Sequence, residues 1–107
     1  MYAASKRIRN MVSKQKTFKS KHVYEIVEIK PVEWIDSTKA EMKISVINVD
    51  TKSMITRKGF YLRATDQIRL SSLENVPNIL IPNNILLNTP CEVVSNEDGV
   101  FYFKHVN

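Results

Sequence analysis

Three observations predict a mainly β fold, a small barrel or strongly bent antiparallel sheet of OB-like or SH3-like size. From residue 22 onward, short apolar runs alternate with polar residues at the two-residue period of a half-buried strand. Turn-forming clusters, Asp36-Ser37-Thr38, Asp50-Thr51-Lys52-Ser53 and Asn96-Glu97-Asp98-Gly99, break those runs at short intervals. The chain has 107 residues, 43% hydrophobic and 25% charged, which is enough for one core and not for two. The expected organisation is a basic, partly helical N-terminal arm over 1–21 and a single β-rich domain over 22–107.

The arm is set apart by charge. Its cations are Lys6, Arg7, Arg9, Lys14, Lys16, Lys19 and Lys21, and the first 22 residues hold no acid. The other 85 residues carry nine basic and eleven acidic side chains, so the net charge of +5 is concentrated at one end. Ala4, Ile8, Met11, Val12 and Gln15 fall at helical spacing and put Ile8, Met11 and Val12 on one stripe. Such a segment either docks its stripe on the domain as a solvated tail or contacts phosphates. A membrane-surface helix is less well supported, because the stripe is short and has no Trp.

The strands follow in order. His22–Lys30 places Val23, Val27 and Ile29 on one side and Tyr24 and Ile26 on the other. Pro31 interrupts, and Val32–Ile35 continues after the kink. Glu41–Val49 alternates with Met42, Ile44 and Val46 inward. Met54–Ala64 returns. A three-residue loop from Asp50 to Lys52 pairs Met42 with Phe60, whereas an even loop needs a bulge at Gly59 for the apolar faces to meet. Both routes put Phe60 and Leu62 in the core and Tyr61 and Arg63 outside, and they differ on Arg57. Asp66–Leu73 turns Ile68 and Leu70 to one face and Gln67 and Arg69 to the other. Between Pro77 and Pro90, Asn78–Ile81 reads as a strand, and Asn83 as the cap of one or two helical turns through Ile85, Leu86 and Leu87. In the last hairpin, Asn96 opposite Val100 and Gly99 in a left-handed conformation bring Val93 against Phe103 and Glu92 against Lys104.

Counts exclude several function classes. Cys91 is the only cysteine, so neither an internal disulfide nor a cysteine-based metal site forms. Gly59 and Gly99 are the only glycines, which removes every glycine-rich phosphate loop. No cofactor or metal is expected. With no long apolar run and no leader pattern after Met1, the expectation is a cytoplasmic protein without a membrane partner. Nine Asn and eleven Ile with many Lys suit an AT-rich genome, such as that of a phage or a low-GC bacterium, and a viral source would place the protein in its host's cytoplasm.

A non-catalytic nucleic-acid-binding function is the leading expectation. Tyr61 bordered by Arg57, Arg63, Arg69 and Lys43 on the outward side of the middle strands offers a ring for a base and guanidinium groups for the flanking phosphates. The arm adds a salt-dependent term. Either DNA or RNA qualifies, with weak sequence preference. Tyr102 and Lys104 form a second outward pair. Trp34 reads as a core residue, and becomes a stacking or interface anchor if exposed. Around it Glu25, Glu28, Glu33 and Asp36 make an acidic face. The alternative from another class is a protein-interaction or assembly module, a phage-encoded modulator of a host enzyme or a structural subunit. Its arm would dock on an acidic partner or wrap a neighbouring copy in a homo-oligomer. Catalysis is not expected, since His22 and His105 lie at opposite ends of the domain and no carboxylate pair stands out.

Overall fold

The computed structural model describes residues 18–106, and every regular element among them is a strand. These are β1 Tyr24–Trp34, β2 Lys39–Asn48, β3 Met54–Leu62, β4 Gln67–Leu73, β5 Val76–Ile81, β6 Cys91–Ser95 and β7 Phe101–His105. They form one sheet in the order β1-β2-β3-β4-β5-β7-β6, which closes in a ring where Tyr24 of β1 meets Cys91 of β6. Only the β5–β7 contact, Leu80 with Tyr102, is parallel. The ring encloses Tyr24, Ile26, Ile44, Leu70, Ile79 and Phe103, all fully buried. Among the described residues no helix is long and apolar enough to cross a membrane.

Two bulges bend the longest strand. The β1–β2 register slips between Ile26 and Glu28 and again between Pro31 and Glu33. Each slip leaves one residue unpaired and sharpens the local twist. The slip at Val27 also changes the faces expected for β1. Ile29 pairs with Ile44 and joins Tyr24 and Ile26 on the inner side, instead of lying opposite them.

The β2–β3 hairpin takes the even loop, but without a bulge. Ile47 pairs with Met54, Met42 with Gly59 and Ala40 with Tyr61. Asn48 decides this register. Its Oδ1 accepts the N–H groups of Asp50 at 2.9 Å and Thr51 at 3.2 Å. Its backbone carbonyl accepts from Lys52 at 2.7 Å, and Lys52 adopts a φ of 66° to close the turn. The side-chain assignment of β3 is therefore the reverse of the expected one. Tyr61 packs against the core, while Phe60 and Leu62 lie on the outer face opposite Glu41 and Lys39. Gly59 fills the core position because a Cβ there would collide with Ile44 Cδ1 and stand 2.7 Å from the Arg69 carbonyl oxygen.

The β4–β5 turn has two residues, Glu74 and Asn75, both at positive φ. The β6–β7 hairpin has the register read from its sequence, with Val93 opposite Phe103, Glu92 opposite Lys104, and Gly99 at a φ of 79°. The expected helical turns after Asn83 are absent. One turn closes from Ile85 N–H to the Pro82 carbonyl at 3.1 Å. The next amides go elsewhere, Leu86 to His105 Nε2 at 3.1 Å and Asn88 to the Ile26 carbonyl at 2.8 Å. A segment this short between two prolines cannot meet the cost of helix nucleation, and tertiary acceptors take its donors.

The chain joins the sheet before residue 22. Ser20 N–H bonds the Val93 carbonyl at 2.8 Å, Ser95 N–H bonds the Phe18 carbonyl at 3.1 Å, and the Phe18 ring meets Phe101 edge-on at 5.6 Å. Lys6, Arg7, Arg9, Lys14 and Lys16 lie outside the described residues, as does the Ile8, Met11, Val12 stripe.

Candidate nucleic-acid interface

The even β2–β3 register and the bulge at Val32 bring Trp34, Ala40 and Tyr61 into one inner-face row across three strands. At this end β1 has no pairing with β6, so the row is open to solvent. Trp34 is 51% exposed and is not the core residue its sequence context suggests. Its ring meets Tyr61 edge-on, with centroids 6.1 Å apart and planes at 84°. The Arg63 guanidinium lies over the indole, 4.5 Å from its centroid. Arg63 is held there by its backbone N–H, which bonds the Thr38 carbonyl at 2.9 Å. Tyr61 hydroxyl donates to Asp66 Oδ1 at 2.7 Å, and that bond to a carboxylate raises the phenol above its ordinary pKa.

Pro31, Val32, Trp34, Ala40, Met42 and Tyr61, with Glu33 as the one charged member, line an open, mainly apolar groove of about 380 Å³. A second hollow of about 280 Å³ shares Val32 and Met42 with it and is walled by Lys43, Arg57 and Lys58 together with Glu41 and Thr56. Aromatic faces and cations thus adjoin along one end of the sheet.

No protein-family model, curated protein or solved structure matches this chain.

The residues expected to form one outward face are divided by the observed register. Tyr61 and Arg57 face the inner side, opposite Ala40 and Ile44. Lys43 and Arg69 face outward, opposite Lys58 and Phe60. Arg63 follows β3 and sits at the rim on Trp34. The outer face has its own aromatic and cationic row. Phe60 lies opposite Arg69, Arg69 opposite Leu80 and Leu80 opposite Tyr102, and Lys39 Nζ stands 4.9 Å from the Phe60 centroid. Lys19 pairs with Glu92 at 3.5 Å but remains 73% exposed, so the pair contributes little and its charge stays accessible. Lys21 is exposed.

The sequence names Trp34 as an anchor only if exposed, and it does not reveal that exposure or the alignment of two lysines. Trp34 is exposed only because the ring closes at the other end of β1. Lys30 and Lys58 align with Lys43 only in the observed register. Of the acids around Trp34, Asp36 is committed to its turn. Oδ1 accepts from the Thr38 hydroxyl at 2.6 Å, Thr38 N–H at 2.7 Å and Lys39 N–H at 3.1 Å, and these bonds hold its carboxyl below the usual range. His22 Nδ1 lies 3.2 Å from Asp50, whereas His105 receives the Leu86 amide, so the two rings have separate partners. Among the described residues no three His, Cys, Asp or Glu converge as a metal site.

Proposed function

We propose that the protein is a non-catalytic nucleic-acid-binding module built on a small barrel of OB-like or SH3-like size. The observation that carries this reading is the half-exposed Trp34 with Arg63 over one face and Tyr61 at its edge, in an apolar groove next to Lys43, Arg57 and Lys58. A single-stranded base stacks on such a ring, and a planar guanidinium both stacks and pairs with a phosphate. A duplex keeps its bases away from a ring set in a groove, so single strands are the preferred ligand. The basic residues before Phe18 add phosphate contacts without sequence preference.

Trp34 is the only tryptophan, so its fluorescence reports the site directly. Titration with a single-stranded oligonucleotide is expected to quench it, with affinity that falls steeply as salt rises. Trp34→Ala is expected to weaken binding by about tenfold or more, the loss of one stacked base at roughly 1–3 kcal/mol. Removing residues 1–17 leaves the β6 contacts of Phe18 and Ser20 in place and is expected to flatten the salt dependence. Binding that is absent, or tight and indifferent to salt, refutes the proposal.

A protein-interaction or assembly role is the second reading. The exposure of Val32 and Ile35 beside Trp34 favours it, because phosphate binding does not use these side chains. In that case removal of residues 1–17 abolishes partner capture or self-association and leaves oligonucleotide binding unchanged.

A further inference from the structure

Among the described residues, β1 and β3 each have a long stretch with one side unpaired, and the two are built differently. Beyond Tyr24, β1 has no pairing with β6, but its free length carries Pro31 and bulges at Val27 and Val32, which are devices that prevent another strand from adding. β3 pairs with β4 only from Gly59 to Leu62, so residues 54–58 have one side without a strand. That stretch, Met-Ile-Thr-Arg-Lys, has no proline and no glycine, and its register with β2 is unbroken. Asn48 N–H bonds the Ser53 carbonyl. By the alternation of an antiparallel ladder, Ile55 and Arg57 then exchange bonds with β2, and Met54, Thr56 and Lys58 turn their N–H and C=O groups to the free side. Arg57 folds its own Nη1 onto the outward Thr56 carbonyl at 3.1 Å, so this acceptor is served by an exposed side chain.

We propose that this edge of β3 takes up an extended acidic peptide segment as an added strand. The occupant's charge follows from the register. Lys30 stands opposite Lys43, and Lys43 opposite Lys58, so three exposed ammonium groups face one another across three strands. Like charges in direct cross-strand positions are unfavourable. Glu28, Glu33 and Glu41 lie in the adjoining rows, yet none forms an ion pair with these lysines among the described residues. The lysine row ends at Lys58 on the free edge. An incoming strand sets one residue opposite Lys58 and the next opposite Arg57, on the other face. Two successive acids satisfy both, and apolar residues further along meet Ile55 and the 61%-exposed Met54. A second copy pairing through the same edge is disfavoured, because residues 53–58 contain two cations and no acid. A nucleic acid has no amide ladder to offer. Main-chain bonds supply affinity and alternate side chains supply selection, as in other cases of strand addition. The inference does not depend on the nucleic-acid reading.

The experiment uses the full chain and a dye-labelled peptide of the pattern acid-acid-polar-apolar-apolar, Asp-Glu-Ser-Val-Ile, read by anisotropy. Thr56→Pro removes an edge donor that the β2 ladder does not use, but also the hydroxyl 3.1 Å from the buried Ser45 Oγ, so the variant is expected to fold with a melting point somewhat below wild type and to lose at least tenfold in peptide affinity. Its oligonucleotide binding at Trp34 is expected to be unchanged. Lys58→Glu is expected to reject this peptide and to accept the Lys-Lys counterpart. Methylating alternate peptide amides is expected to abolish binding to the unaltered protein, which keeps the proposal testable if Thr56→Pro does not fold. No binding to wild type, equal binding of a proline-interrupted peptide with the same acids, or retained affinity in both variants overturns the proposal. So does self-association that Thr56→Pro abolishes, since a second copy would then occupy the edge.

Discussion

Glu74 is a residue held in an unfavourable conformation by its partner. It occupies the first position of a two-residue turn at a φ of 54°, where Asn or Gly fits with less strain. Its carboxylate accepts the hydroxyl of Tyr24, a residue only 1% exposed. Burial and then the Glu74 bond push the Tyr24 phenol well above its ordinary pKa. Leaving that hydroxyl unpaired costs about 1–3 kcal/mol, against about 1 kcal/mol gained by relieving the turn. Glu74→Asn is therefore expected to destabilise the wild type by about 1 kcal/mol. In a Tyr24→Phe background, where no hydroxyl remains, the same substitution is expected to be neutral or stabilising. Urea denaturation of the two single variants, the double variant and the wild type measures the coupling. Four proteins with additive effects would remove Glu74 from this role.

At the scale of elements, hairpins differ in how much of their geometry is local. In β6–β7 the turn residues and the cross-strand pairs point to one register, so strand limits, loop length and partners are all legible from residues 91–106. In β2–β3 two loop lengths give comparable apolar matches, and Gly59 resembles a bulge when it in fact occupies a core position beneath Ile44. The deciding signal is the Asn48 side chain, which is visible in the sequence but becomes decisive only through its bonds to Asp50 and Thr51. Asn48→Ala is expected to cost about 1–2 kcal/mol, because Asn48 is nearly buried and two turn amides lose their acceptor. It is also expected to weaken oligonucleotide binding, since this register turns Tyr61 toward Trp34. Thermal melts and the Trp34 titration check the two effects, and weakened stability with undiminished binding would separate the turn from the groove. The candidate site was less legible than the fold for a related reason. A one-residue change of register exchanges inside and outside along a whole strand, so Tyr61 and Phe60 changed places together. Trp34 is exposed because of bulges and a distant seam, neither of which its neighbours in sequence reveal.

The ring as a whole closes at one narrow contact, and that contact holds a buried thiol. Cys91 and Tyr24 are partners where β6 meets β1, and the Cys91 thiol donates to the Tyr24 carbonyl at 3.3 Å. Burial, aided by the nearby Glu25 carboxylate, pushes the thiol from an ordinary value of 9.0 up to about 11. Below pH 9.0 the thiol is protonated in folded and unfolded chains alike, and its contribution is fully present. Between 9.0 and 11 the unfolded chain loses the proton first, so stability falls with rising pH across that window. At about 1.4 kcal/mol per pH unit the loss is on the order of 2 kcal/mol. Tyr24, also raised, adds its share only above its ordinary value of 10.0, so measurements between pH 8 and 10 isolate the cysteine. Wild type is expected to lose stability over that interval faster than Cys91→Ala, whatever the two proteins' absolute stabilities. The comparison rests on the slope, so the cavity left by alanine does not disturb it. Parallel slopes in urea denaturation at pH 8, 9 and 10 would mean that the thiol does not govern the seam. If the slopes differ, the proton held on the buried thiol where β6 meets β1 contributes to the stability of the whole ring.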